Sequence, residues 1–254
     1  MAIYLKEFST QNEYEQYING SGAILPNVSI CKDTPNEVHY NPYVDPSGGH
    51  EYVEIGGIKW ATMNIGATCV TDYGLYFQWG DISGYTVDQV TGSTQPKKVF
   101  SWVNYKYGNG TFSPGATGMT KYNSTDGLTT LESSDDAATA NWVGSWRIPT
   151  KAEFEALSDA VNSAWTADYQ GSGVSGLVLT DKTDSSKVLF FPAAGYCDYS
   201  NVNSVGNNGY YWSSSVMDSG VQNAHYLVFA SSYVSWSSFT QRSKGYAVRG
   251  VMNV

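Results

Sequence analysis

Charged side chains are scarce in this 254-residue chain, at 15%, and the acidic ones outnumber the basic by 23 to 14 for a net charge of −9. An acidic surface repels phosphate backbones, so no nucleic acid is expected as a partner. Cysteine is also scarce, with only Cys31, Cys69 and Cys197 present. Three cannot all pair, and no two are closely spaced, which argues against a disulfide framework or a zinc site. Histidine is limited to His39, His50 and His225, and none has a partner at ligand spacing. No metal, no cofactor and no nucleophile–base pair is therefore expected. No stretch approaches the roughly 20 apolar residues of a membrane span, so no membrane insertion is expected. Met1 to Ser9 lacks the basic start and apolar run of a secretory leader. Synthesis in the cytosol is expected, and action outside the cell would then need lysis, another export route or carriage as part of a particle.

What the chain does have is aromatic and small residues. Aromatics reach 15%, led by 20 Tyr and 8 Trp, and there are 26 Gly. That mix favours strands and turns over long helices. Apolar residues make up 41%, enough for a globular core.

Taken in order, residues 1–50 read as a separate segment for assembly or attachment. Thr10 and Glu13 form a capping box that opens a short helix, and Val28, Ile30, Val38 and Tyr40 lie in short extended pieces. Asn41 to His50 reads as a linker, and the segment is too small to hold a good core alone. The main domain is expected over residues 51–254. Tyr52–Ile55 and Ile58–Ala61 flank a Gly56-Gly57 turn as a hairpin. Asp72 to Gly80 reads as an aromatic strand. Asp81 to Gly118 reads as a long loop, functional or mobile, and Thr120 to Leu131 continues it. Ser133 to Trp142 reads as a helix capped at Ser133 with Asp135 and Asp136 in its first turn, calcium binding by that acidic pair being the alternative. Thr150 and Glu153 form a second capping box, opening a helix with Phe154 and Leu157 on its apolar face. Gly176–Asp181 and Val188–Ala194 read as strands joined by a polar turn, and Gly195 to Asn208 as a loop. Trp60, Trp79, Trp146, Phe191, Trp212 and Leu227 are expected in the core, and Arg249 is expected to tie loop carbonyls or a carboxylate.

The stretch Gly209 to Val251 is the chemically distinctive part. Residues of packing type alternate with small, polar and aromatic ones that almost never carry charge. Tyrosine offers contact area at low entropic cost, and Ser and Asn offer adaptable hydrogen bonds. Strand alternation with Leu227, Phe229, Val234 and Trp236 inward points Tyr226, Val228, Tyr233, Ser235 and Ser237 outward. The ligand face expected on this reasoning is Tyr226, Val228, Ser231, Ser232, Tyr233, Ser235, Ser237, Ser238, Phe239, Thr240, Lys244 and Tyr246. Tyr233, Phe239 and Tyr246 are its expected energetic anchors.

Six further motifs occur in order: Trp60-Ala61-Thr62-Met63-Asn64-Ile65-Gly66-Ala67 with Asp72-Tyr73-Gly74, Phe77 to Gly80, Trp146-Arg147-Ile148-Pro149-Thr150, Phe191-Pro192-Ala193-Ala194-Gly195-Tyr196, Gly209 to Ser215, and Ala247-Val248-Arg249. Together they resemble the Fibrobacter succinogenes major paralogous domain, over about residues 51–254. That family is similar to the formylglycine-generating-enzyme branch of the C-type lectin fold. The resemblance implies an α+β fold of two helices on small twisted antiparallel sheets with long loops. The same branch carries the variable proteins of diversity-generating retroelements, whose rewritten C-terminal side chains form a ligand-binding face. By that resemblance Ala224 to Arg249 is similar to a variable region within about 209–251, with the rewritten residue types at His225, Tyr226, Val228, Ser231, Tyr233, Ser235, Ser237, Ser238, Phe239, Thr240, Ser243 and Tyr246. The implied function is a non-enzymatic, receptor-binding protein on a phage particle, directed at a protein or cell-surface ligand. The alternative is a surface adhesin with a fixed protein or glycan ligand. An oxidoreductase of the formylglycine type is the remote alternative, because the family's reactive cysteine pair near the end of the domain is missing. The calcium-reading tripeptides of sugar-binding C-type lectins are missing as well.

Overall fold

The computed structural model describes residues 50–254, together with the backbone of two short strands, β1 (Val28–Ile30) and β2 (Val38–Tyr40), which pair antiparallel. The helix expected after Thr10 and the Asn41-to-Gly49 linker lie outside the described residues, as does Cys31.

The protein is α+β, with short helices and small antiparallel sheets. Hairpin β3 (Tyr52–Ile55) and β4 (Ile58–Asn64) turns through Gly56 and Gly57, both at positive φ (62° and 76°), the backbone a two-residue turn of this hand requires. The chain's last strand, β13 (Arg249–Asn253), pairs with β4, so the domain closes on its own beginning. Strands β5 (Val161–Thr166), β6 (Gly176–Asp181) and β7 (Val188–Pro192) make a second sheet. β8 (Tyr196–Asp198) and β9 (Asn201–Asn203) form a small hairpin inside the expected 195–208 loop. β10 (Asn208–Val216), β11 (Asn223–Ala230) and β12 (Tyr233–Gln241) form the longest sheet, a meander in chain order.

Three short helices are described: α1 (Val87–Thr91), α2 (Ala137–Asn141) and α3 (Lys151–Ala160). The capping box of Thr150 and Glu153 is formed, and Arg147 reinforces it by a fork-on-carboxylate pair with Glu153. Helix α2 starts later than the sequence suggests. Ser133–Asp135 is a single 3-10 turn, and Asp136 is the cap, accepting from the N–H groups of Ala138 and Thr139. The other Asp136 oxygen takes the Ile148 N–H at 2.8 Å. Asp135 goes elsewhere, to Lys106, Lys121 and the Tyr122 hydroxyl. Both carboxylates are thus spent on the protein's own donors, and calcium binding is not their arrangement. Among the described residues, no three His, Cys, Asp or Glu side chains group as a metal site. No described helix is long and apolar enough to cross a membrane.

All six expected core residues are buried: Trp60, Trp79, Trp146, Phe191, Trp212 and Leu227. Two further expectations are corrected, and one strand was not expected. Asp72 to Gly80 is not a strand; only single bridges form, Tyr76 to Tyr85 and Phe77 to Tyr246. The segment 81–135, expected as loop to Leu131, holds helix α1 and single 3-10 turns, and it buries Val90, Phe100, Trp102, Tyr105, Tyr107, Met119 and Tyr122. It is one wall of the core, and its backbone follows the aromatic packing rather than a regular ladder. Strand β5 escaped the sequence reading because it is an edge strand whose Asn162, Ser163 and Ala164 are exposed.

Arg249 is fully buried and draws the sheets together. Nε donates to Asn64 Oδ1, Nη1 to the carbonyls of Ala61 and Thr62, and Nη2 to the carbonyl of Phe190. The planar fork lies over the Phe191 ring, 4.3 Å from its centroid. Burial lowers its pKa to about 10, the nearby Tyr211 partly opposing this. Its role is the structural one expected, served by carbonyls rather than a carboxylate.

A tyrosine-lined face on the longest sheet

One side of the β10–β11–β12 sheet is committed to the core. Tyr211, Leu227, Phe229, Val234 and Trp236 pack there with Phe154 and Leu157 of α3 and with β6 and β7. Gly209 belongs to this register for a steric reason: a Cβ there would lie 2.0 Å from Cζ of the Phe229 ring.

The opposite side packs Trp212 into a second buried cluster with Tyr246, and carries partly buried tyrosines against that cluster. Paired positions across the strands place Asn208, Tyr210 and Trp212 of β10 beside Ala230, Val228 and Tyr226 of β11. On β12, Tyr233, Ser235, Ser238 and Thr240 continue the same side, opposite Ala230, Val228, Tyr226 and Ala224. Tyr246 packs against this side from beneath, stacked on Trp212 at 4.3 Å and edge-on to Tyr226 at 5.0 Å. Above it, Tyr210 lies 6.0 Å from Tyr226 and 4.9 Å from Tyr196 of β8. The result is a tier of half-buried tyrosines, Tyr196, Tyr210 and Tyr226, resting on a buried Tyr246–Trp212 base.

Polar groups rim the tier. Asn208 donates to the Tyr233 hydroxyl at 3.3 Å, and Ser238 donates to Ser235 at 2.8 Å. Lys244 stands over the Tyr196 ring, 5.7 Å from its centroid, and its charge is paired with Asp198 at 2.7 Å. Burial, with neighbouring tyrosines, pushes the Tyr210 hydroxyl up to about 12. Burial also raises Tyr226, with Tyr246 and Ser238 pulling back. At neutral pH these phenols are uncharged donors and acceptors, so the face binds by area and hydrogen bonds rather than by net charge.

The twelve residues expected on the ligand face divide into groups. Tyr226, Tyr233, Ser235, Ser238 and Thr240 lie on the tyrosine side, and Lys244 stands at its edge. Ser231 and Ser232 are exposed in the two-residue turn between β11 and β12. Val228 points to the correct side but is only 5% exposed, and Tyr246 is 2% exposed, so it is the base of the face rather than a contact. Phe239 is on the reverse side, edge-on to His225 at 6.4 Å, and 53% exposed there. Ser237 sits at a bulge, its carbonyl 3.2 Å from His225 Nδ1.

That bulge explains the misplacement of Ser237 and Phe239. Between the pairs Tyr226–Ser238 and Val228–Ser235, Trp236 and Ser237 together face the single residue Leu227. An extra residue on one strand reverses the alternation beyond it, so Ser238 and Thr240 replace Ser237 and Phe239 on the tyrosine side. Ser213 and Ser214, polar in sequence, are buried, with Ser213 donating to the His225 carbonyl. Tyr196 and Tyr210 were missed. Tyr210 could have been found, since Tyr211 inward on β10 sends Tyr210 outward. Tyr196 reaches the face only because the β8–β9 hairpin folds beside it, which no local pattern announces.

Cys69 and Cys197 are both free, and burial drives the Cys197 thiol far above its usual range, away from the reactive thiolate.

Residues 179–251 match the family model of a domain of unknown function, DUF8237, a span that runs from within β6 to within β13 and includes the whole tyrosine-lined face. No curated protein matches the chain. No solved structure matches it.

Proposed function

We propose that the tyrosine-lined face is a ligand-binding surface and that the protein is a non-enzymatic, receptor-binding module. The observation that carries this reading is the tier itself: Tyr196, Tyr210 and Tyr226 are half-buried and clustered on the side of a sheet whose reverse is anchored in the core. Tyr233 rises beside them with 48% of its surface open. Rigid aromatic anchors ringed by serine, threonine and asparagine are the composition of recognition surfaces, where tyrosine loses little entropy on binding. Ser231 and Ser232 extend the surface at the turn, and the Lys244–Asp198 ion pair closes its edge. A C-type lectin-like scaffold of the formylglycine-enzyme branch, with residues 224–249 as a diversified segment, is the family reading that this placement favours. A protein on a cell surface, met from a phage particle, is the ligand class proposed.

A neutral glycan held by an adhesin is the second reading. The Asn208–Tyr233 pair favours it, since an amide beside an aromatic ring suits sugar hydroxyls and ring faces alike.

Binding of the purified chain to a panel of bacterial cell envelopes tests the proposal. Tyr210→Ser with Tyr233→Ser is expected to abolish any binding the parent chain shows, while Phe239→Ser, on the reverse side, is expected to preserve it. Loss in the Phe239 variant with retention in the tyrosine variant overturns the assignment. Protease treatment of the envelopes separates a protein ligand from a glycan. Template sequencing that finds no adenine-directed variation in codons 224–249 removes the diversified-segment reading alone.

A further inference from the structure

Arg242 follows β12 directly and has no exposed surface. Its guanidinium packs against two aromatic rings, 5.2 Å from the Trp79 centroid and 5.6 Å from that of Tyr105. A single hydrogen bond from it is formed, Nη1 to the Lys121 carbonyl at 3.3 Å. Nε and Nη2 are buried and meet no acceptor among the described residues. No described carboxylate forms an ion pair with it either. Asp126 accepts the backbone N–H groups of Tyr122, Asn123 and Leu128, and Asp135 is held by Lys106, Lys121 and Tyr122.

Arg249 shows how the same fold treats a buried guanidinium when it is purely structural: each of its three nitrogens meets an acceptor. Arg242 differs in a specific way. The two open nitrogens, Nε and Nη2, share one edge of the fork, and their N–H bonds run parallel at the spacing of the two oxygens of a carboxylate. A guanidinium does not shed its proton in a protein, so burial leaves a full charge that is met by the Trp79 and Tyr105 rings and, through space, by Asp126, while the Nε–Nη2 edge keeps no hydrogen-bond acceptor.

We propose that the Nε–Nη2 edge of Arg242 is an internal binding site for one small planar carboxylate anion, of formate or acetate size. Bound there, the anion neutralises the buried charge while Nη1 holds the Lys121 carbonyl. The Nη1 bond itself ties the irregular 119–135 wall to the end of β12, the strand that carries Tyr233, Ser235 and Ser238, and the anion offsets the charge buried in making that tie.

The test uses the whole chain, unfolded in urea and refolded in sodium formate, sodium chloride or sodium gluconate at equal ionic strength. Formate is expected to raise the Tm by about 3–6 °C for each tenfold increase above its dissociation constant. Gluconate, too large for the interior, is expected to leave it unchanged. Dialysis of the refolded chain against labelled formate is expected to show saturable, single-site retention. Arg242→Lys keeps the charge and loses the fork, so its formate dependence is expected to vanish. Should that variant fail to fold, the parent chain's retention of labelled formate, displaced by unlabelled formate and not by gluconate, decides alone. Equal stabilisation by chloride and formate overturns the carboxylate-shaped edge. Identical melting in all three salts, with no retained formate, means that water alone satisfies Arg242 and overturns the site.

Discussion

Replacing Arg249 by methionine should destabilise the domain through the oxygens it leaves behind. The guanidinium of β13 reaches the Asn64 side chain and the Ala61 and Thr62 carbonyls at 2.7–3.0 Å, all on or at β4, and the Phe190 carbonyl of β7 at 2.9 Å. Asn64 in turn donates to the Tyr73 carbonyl and to Tyr211 Oη, and Tyr211 donates to the Pro192 carbonyl. One side chain thus joins the β13–β4–β3 sheet to the β5–β6–β7 sheet and, through Asn64, to β10. Methionine fills similar length but donates nothing. Four acceptors lose a donor, at about 1–3 kcal/mol for each one left unsatisfied, roughly 4–12 kcal/mol in all. Relief from burying an unpaired guanidinium returns several kcal/mol. The net loss expected is about 2–5 kcal/mol. At about 2–4 °C per kcal/mol for a domain of this size, the Tm should fall by about 4–20 °C. Urea unfolding followed by tryptophan fluorescence measures it, since Trp60, Trp79, Trp146 and Trp212 are buried and report on solvent entry. Arg249→Lys should be no better than Arg249→Met, because it keeps a buried charge and cannot span these acceptors. Unchanged stability in the methionine variant refutes the network, and full stability in the lysine variant refutes the fork argument.

Tyr246→Ala should cost about 3–5 kcal/mol, as a fully buried aromatic, whereas Tyr233→Ala should stay within about 0.5 kcal/mol; chemical denaturation of the two side by side checks that one is base and the other contact. Gly209→Ala should lose about 1–3 kcal/mol by forcing the Phe229 ring aside, and a stable, unshifted variant would remove the β10–β11 register given above. Burial alone would raise the Glu153 pKa, but Arg147 and the Thr150 cap hold it below the usual 4.5. The folded form therefore binds fewer protons there, so this contribution is complete above pH 4.5 and is lost as pH falls through the folded value. Glu153→Gln should flatten that part of an acid-unfolding curve, and an identical acid limb in both chains would refute the linkage.

How much of this could be read beforehand depended on the range of the forces involved. Hairpin β3–β4 and helix α3 were legible because their signals are local: two glycines where positive φ is needed, and a threonine three residues before a glutamate. The six core aromatics and aliphatics were legible from their setting in strand-like runs, and Arg249 from its donor geometry. The start of α2 was misread because Ser133 and Asp136 are both good caps, and only Asp136 can also reach the Ile148 N–H across the fold.

The candidate face shows the same division. The stretch, its residue types and its inward set of Leu227, Phe229, Val234 and Trp236 were determined by the sequence, because period-two alternation is a property of the extended backbone itself. Its composition of tyrosine, serine and asparagine was likewise there to read. Which of those side chains share one surface was decided only by tertiary structure. One extra residue at Trp236–Ser237 moves Phe239 to the other side, and closure of the chain end under the sheet sinks Tyr246 beneath Tyr226. The β8–β9 hairpin brings Tyr196 beside Tyr210. A bulge and a long-range contact are chosen by packing against partners distant in the chain, and no local run of residues contains those partners.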